Sequence, residues 1–113
     1  MIKIVKDSIS KEELSDIAKN QFGDLVKAVV DVEKEIMAIS GELHADEEAL
    51  LLEQGSKQEN LWGINLYFNK SNDELIEFDS MINIRPSQNN RSRGIESLDV
   101  QRKIRDIINK LIL

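Results

Sequence analysis

Within ten residues, Arg85-Pro86-Ser87-Gln88-Asn89-Asn90-Arg91-Ser92-Arg93-Gly94 collects three guanidinium groups, two hydroxyls and three side-chain amides. Arginine forks take carboxylate or phosphate oxygens two at a time. The segment also runs toward a helix start, where free N–H groups favour an anion. Arg85, Ser87, Asn90, Arg91 and Arg93 are therefore candidate ligands for a small anion or an acidic partner protein. The plainer alternative pairs the same arginines with carboxylates of this chain or of a second copy, a common structural use of clustered charge. The segment is not a nucleoside-triphosphate loop, because it has one glycine and no Gly-Lys-Ser/Thr.

A second constellation centres on His44, the single histidine, followed by Asp46, Glu47 and Glu48. Acid-base chemistry would need His44 as the proton carrier, with Asp79 beside it and Arg85 holding an anionic group, all in one pocket. The competing interpretation is a histidine hydrogen-bonded near a helix start, with Asp46 as cap and the glutamates in solvent. One histidine cannot build a His-rich zinc site, and a metal would need carboxylates from afar, such as Asp31 or Asp79. No metal ligand set and no cofactor is therefore assigned. Glu77, Asp79, Asn83 and Arg85 alternate along one strand face, opposite Asn65 and Tyr67, and would make a polar shelf if that face were uncovered. The serines lack a base and oxyanion context, so serine hydrolysis has no support.

Charge narrows the partners. The net charge of -6 argues against a general nucleic-acid binder, since Lys and Arg supply most of that affinity. The distribution is uneven: residues 85 to 113 carry seven basic against three acidic side chains, a net of +4, which leaves -10 for the remainder. Localised nucleic-acid contact through residues 85 to 110 is one use of that division. Steering of an acidic ligand, or head-to-tail pairing into a homodimer, is another.

The elements that must hold these groups follow from pattern. Ile2 to Val5 reads as a strand. Ser10 and Glu13 form an S-x-x-E capping box, with Ile9 and Leu14 as its staple; Leu14, Ile17, Ala18 and Phe22 continue a helical stripe to Gly23. Leu25 to Ser40 is β-branched on both sides of Glu33-Lys34-Glu35, which predicts two strands and a tight turn. Asp46 predicts the cap of a short helix ending at Gly55. Leu61 to Phe68 alternates, with Trp62, Ile64, Leu66 and Phe68 on one side. After a polar turn at Asn69 to Asp73, the alternation from Ile76 to Ile84 predicts a partner strand ended by Pro86. Ser97 predicts the cap of a last helix, with Val100, Ile104, Ile107, Ile108 and Leu111 as its apolar stripe. Trp62, Phe22, Phe68 and Phe78 are assigned to the core.

The predicted order is β-α-β-β-α-β-β-α. This is an α+β fold in which an antiparallel sheet of about five strands is packed on one face by three helices, as a single domain over residues 1–113. The absence of cysteine excludes disulfide and thiolate chemistry and points to the cytoplasm. No stretch nears the roughly 20 apolar residues of a membrane span, and the N-terminus has no signal-peptide pattern.

Three stretches are distinctive as wording: Gly41-Glu42-Leu43-His44-Ala45-Asp46-Glu47-Glu48, Leu61-Trp62-Gly63-Ile64-Asn65-Leu66-Tyr67, and Phe78 to Gln88 followed by Asn90-Arg91-Ser92-Arg93. Together they resemble a family of short prokaryotic proteins known as a domain of unknown function, over nearly the whole chain. The resemblance implies no activity. Asn89 and Ser40 stand where that family's pattern has glycine, and Phe68 where it has proline. Asparagine tolerates the left-handed backbone region, so the turn at Asn89 is expected to persist.

Overall fold

The computed structural model describes residues 1–70 and 74–113, so the end of the expected turn, Ser71 to Asp73, lies outside the described residues. The element order matches the prediction: β1 (Lys3–Val5), α1 (Lys11–Asn20), β2 (Leu25–Asp31), β3 (Ile36–Ile39), α2 (His44–Glu53), β4 (Leu61–Tyr67), β5 (Ile76–Glu77) and α3 (Leu98–Leu111). The strands form one sheet in the order β1-β3-β2-β4-β5, antiparallel at every pairing. The α+β class and the five antiparallel strands are as expected.

The helices do not share a face. Side chains alternate across a strand, so the two faces separate by parity. Val5, Val26, Ala28, Val30, Met37, Ile39, Trp62, Ile64 and Leu66 join Leu14 and Ala18 of α1 and Ile104, Ile107, Ile108 and Leu111 of α3 in the larger core. Val29, Ala38 and Leu61, which point the other way, join Leu51 of α2 in a smaller one. Two helices therefore cover one face and α2 covers part of the other. Its run Ala49-Leu50-Leu51-Leu52 turns only Leu51 into full burial.

Local chemistry explains the boundaries. Ser10 Oγ accepts the Glu13 N–H at 3.1 Å, and Ser97 Oγ accepts the Val100 N–H at 3.3 Å. Gly23 (φ +95°) and Gly55 (φ +99°) supply the left-handed residues after α1 and α2. Asn89 (φ 60°) and Ser40 (φ 73°) are left-handed too, so both turns persist without glycine. The turn between β2 and β3 is fastened by Asp31, whose Oδ1 accepts the Glu33 and Lys34 N–H groups, while its Oδ2 accepts from Ser56 Oγ. Asp31 is thus a structural carboxylate, 1% exposed.

Three local expectations need correction. α2 begins at His44 with Leu43 as N-cap and no side-chain cap; Asp46 lies inside the first turn, because Asp46 and Glu47 already donate their N–H groups to the Leu43 carbonyl. Phe22 is 41% exposed and lies under the Lys27 ammonium, 5.1 Å from the ring centre, rather than in the core.

The third correction concerns the strand expected from Ile76 to Arg85, of which only Ile76–Glu77 pairs as a strand. The chain instead closes over β4 at Gly63, where a Cβ would stand 2.6 Å from Ser80 Cβ and Oγ. Ser80 Oγ then accepts the Ile82 N–H and starts a 3₁₀ turn at Met81–Asn83. Asn83, expected on an open polar face, is fully buried. Its amide replaces the missing strand: Oδ1 accepts the Gly63 N–H at 2.8 Å and Nδ2 donates to the Gly63 carbonyl at 3.0 Å. Pro86 opens a further 3₁₀ turn at Pro86–Gln88 rather than ending a strand.

Candidate functional site

On the face of the sheet that carries α2, the cross-strand pair Lys27 and Asn65 borders a cleft of about 220 Å³. Leu43, His44 and Ala45 at the start of α2 form one wall, Asp79 to Ile82 another, and Arg93 stands over it. The Arg93 backbone sets that position, its carbonyl accepting the Ser80 N–H at 2.9 Å and the Asn83 amide at 3.0 Å. Arg93 Nε donates to Asp79 Oδ1 at 2.7 Å. Both side chains of that ion pair are about half exposed, which leaves the rest of the guanidinium fork accessible.

His44 donates from Nε2 to the Ile64 carbonyl at 2.8 Å. A carbonyl can only accept, so Nε2 carries the proton and Nδ1 is the acceptor in the neutral ring. Burial holds the imidazole below its ordinary range; the Ile64 bond and Asp79 oppose that shift, and Lys27 and Arg93 add to it. His44 is accordingly neutral at neutral pH.

Asn65 has 8% exposure. Its Nδ2 donates to Glu77 Oε1 at 2.9 Å and to the Asp79 carbonyl at 3.3 Å. Both partners are acceptors, so the amide orientation is fixed, and Oδ1 has no hydrogen-bond donor among the described residues. Tyr67 OH reaches the same Glu77 oxygen at 3.2 Å. The expected polar shelf is therefore real at Asn65, Tyr67, Glu77 and Asp79, while Asn83 is taken into the interior.

Among the residues nominated from sequence, His44, Asp79 and Arg93 come together here. Arg85 does not line this cleft. Its guanidinium lies 4.2 Å from the centre of the Trp62 ring and donates to the Gln58 and Leu61 carbonyls, so the expected convergence of His44, Asp79 and Arg85 is not what the fold builds. Asn90 is 2% exposed and structural: Nδ2 donates to the Asn83, Ser92 and Gly94 carbonyls and Oδ1 accepts the Glu96 N–H. Ser87 and Arg91 are exposed. The anion-favouring N–H groups of the loop already have an internal anion, for Glu96 Oε2 accepts from Arg91 and Ser92 at 2.7 and 3.1 Å. Those bonds hold the Glu96 carboxyl below the usual carboxylate range. The five loop residues do not form one site.

Lys27, Leu43, Met81 and Ile82 escaped the sequence reading. Strand parity carried a signal for Lys27, which sits between the inward-facing Val26 and Ala28. The two leading hydrophobes, Leu43 and Met81, are 56% and 65% exposed at the rim. Beside the cleft lies Glu47, which is not in solvent as expected but fully buried. Gly41 makes room for it, since a Cβ there would be 2.7 Å from Glu47 Cγ, and Glu47 Oε2 accepts the Gly41 N–H at 2.9 Å. Burial pushes its carboxyl up to about 9, against the smaller opposing effects of that bond and of Lys27, so Glu47 is a neutral acid at neutral pH.

Among the described residues, no group of three His, Asp or Glu side chains is arranged to hold a metal, and no helix is long and apolar enough to cross a membrane. No curated protein and no solved structure matches the chain. A family model described as "Protein of unknown function (DUF5674)" matches residues 3–111, in agreement with the resemblance read from the three sequence stretches. The chain therefore belongs to the DUF5674 family, whose description assigns no activity.

Proposed function

We propose that this protein is a small-molecule binding module whose cleft takes a small organic anion at the start of α2. The observation that carries this reading is a cleft at the start of α2 that is lined by both Lys27 and Arg93. α2 adds to the attraction for an anion, because no side chain caps its N-terminus and the first N–H groups of a helix have no partner within it.

Volume limits the ligand. About 220 Å³ lies below the ~300 Å³ at which sites for drug-sized molecules begin. A short-chain carboxylate suits a cleft of that size. The enzymatic alternative is weaker, since Arg85 is engaged elsewhere and His44 has no second acid-base partner within a described hydrogen bond.

The test is an amide NMR titration of the intact chain with isovalerate and with inorganic phosphate. Isovalerate is expected to shift the His44 and Ala45 amides and the Asn65 side-chain amide, with a Kd of about 1 mM, some -4 kcal/mol. Arg93→Met should remove the shifts. Resonances that stay still in the wild type with both probes, at about ten times that concentration, defeat the reading.

A further inference from the structure

The cleft is not uniformly cationic, and this bears on which anion it takes. On its donor side are the Arg93 fork, the Lys27 side chain and the open start of α2. On its acceptor side are Asn65, whose Oδ1 has no donor among the described residues, the Asp79 carboxylate and the neutral ring of His44, whose proton is committed to Ile64. A bare carboxylate answers only the first set. It would bring negative charge toward Asp79 and leave Asn65 Oδ1 unpaired.

Building on the anion-binding reading, we infer that the ligand is a free α-amino acid with a small apolar side chain, its carboxylate on the Arg93 side and its ammonium on the Asn65 and Asp79 side. An ammonium has three donors and no acceptor, which suits a cluster made of acceptors. The Arg93–Asp79 ion pair presents both signs of charge side by side, as the two ends of a zwitterion require. Leu43, Met81 and Ile82 give the side chain an apolar rim. A valine-sized molecule suits a cleft of about 220 Å³. A peptide does not satisfy the same pattern, since its free ammonium and free carboxylate are on different residues.

Calorimetry separates the two readings. L-valine, isovalerate (the same skeleton without the amine) and isobutylamine (without the carboxylate) are titrated into the intact chain. L-valine is expected to bind at least tenfold more tightly than isovalerate, about 1.4 kcal/mol, and isobutylamine not measurably. Asp79→Asn, at a half-exposed position, should cost L-valine tenfold or more while isovalerate, no longer opposed by a negative charge there, binds as tightly or more tightly, a split that a merely structural role for Asp79 does not produce. Equal affinity for L-valine and isovalerate overturns the amino-acid inference but leaves the anion reading in place. Absence of heat and of amide shifts with all three overturns both.

Discussion

Replacing Glu47 by glutamine is expected to stabilise the protein, and by more as pH rises. Glu47 is fully buried on α2, and its carboxyl titrates at about 9 instead of 4.5 because burial penalises the charged form. In the unfolded chain it ionises at the ordinary value. Between those two pH values the folded state holds one proton more than the unfolded state, so stability falls with increasing pH. The slope is about 1.36 kcal/mol per pH unit. The contribution is fully favourable below pH 4.5 and is lost progressively up to about 9. At pH 7 the loss amounts to about 3 kcal/mol, a large share of a typical stability of about 5–15 kcal/mol. Glutamine has the same shape and keeps a carbonyl oxygen for the Gly41 N–H, but it does not titrate. Urea denaturation followed by Trp62 fluorescence, from about pH 5 to about pH 8, should therefore show the advantage of Glu47→Gln growing by about 4 kcal/mol across that range, a ceiling if water reaches the site. His44 is shifted the opposite way, so it lowers stability as the pH falls through its unfolded value; it is common to both proteins and cancels in the difference. A difference that stays flat with pH would mean that Glu47 is ionised inside the fold, and the account of its burial would fail.

Other substitutions test the walls of the cleft. Gly63→Ala puts a Cβ 2.6 Å from Ser80 and should cost about 1–3 kcal/mol by overpacking, with amide shifts concentrated at Ser80 to Ile82. Asn90→Ala removes the donor for three carbonyls and the acceptor for the Glu96 N–H; a loss of about 3 kcal/mol in chemical denaturation is expected. Arg85→Ala uncovers the Trp62 ring and leaves the Gln58 and Leu61 carbonyls without their guanidinium donor. It should red-shift the tryptophan emission and cost about 1–3 kcal/mol. Ser97→Ala deletes the cap of α3 at about 1 kcal/mol, measurable as a lower midpoint of thermal unfolding.

What could be read from sequence was the part governed by neighbours along the chain. The caps at Ser10 and Ser97, the left-handed glycines at 23 and 55, the hairpin from Leu25 to Ile39 and the inward face of β4 all depend on local spacing, and the fold keeps them. Contacts between distant segments were invisible. Nothing in the alternation from Ile76 to Ile84 signals that Asn83 will complete Gly63 by side-chain hydrogen bonds, so a strand was expected where the chain turns. The run Ala49 to Leu52 offers no single apolar stripe, which hid the fact that α2 lies across the sheet from α1 and α3. Glu47 resembled a solvated acid in a first helical turn until the space vacated by Gly41 drew it inside. The candidate site was half legible: His44, Asp79 and Arg93 were named, but Arg85 was wrongly placed beside them and Lys27 was missed. Their grouping depends on register between β2 and β4, which periodicity alone does not fix.

The amide of Asn83 has a bearing on solubility. β4 is an apolar strand with a neighbour of only two residues on its outer side, the kind of margin on which a foreign strand can template a fibril. At Gly63 the peptide group is already answered by a primary amide that imitates a passing backbone, and at Leu61 the carbonyl is claimed by a guanidinium. A strand arriving from another molecule would have to displace those groups before it could zip onto β4, so the seal is set by two side chains rather than by a longer sheet.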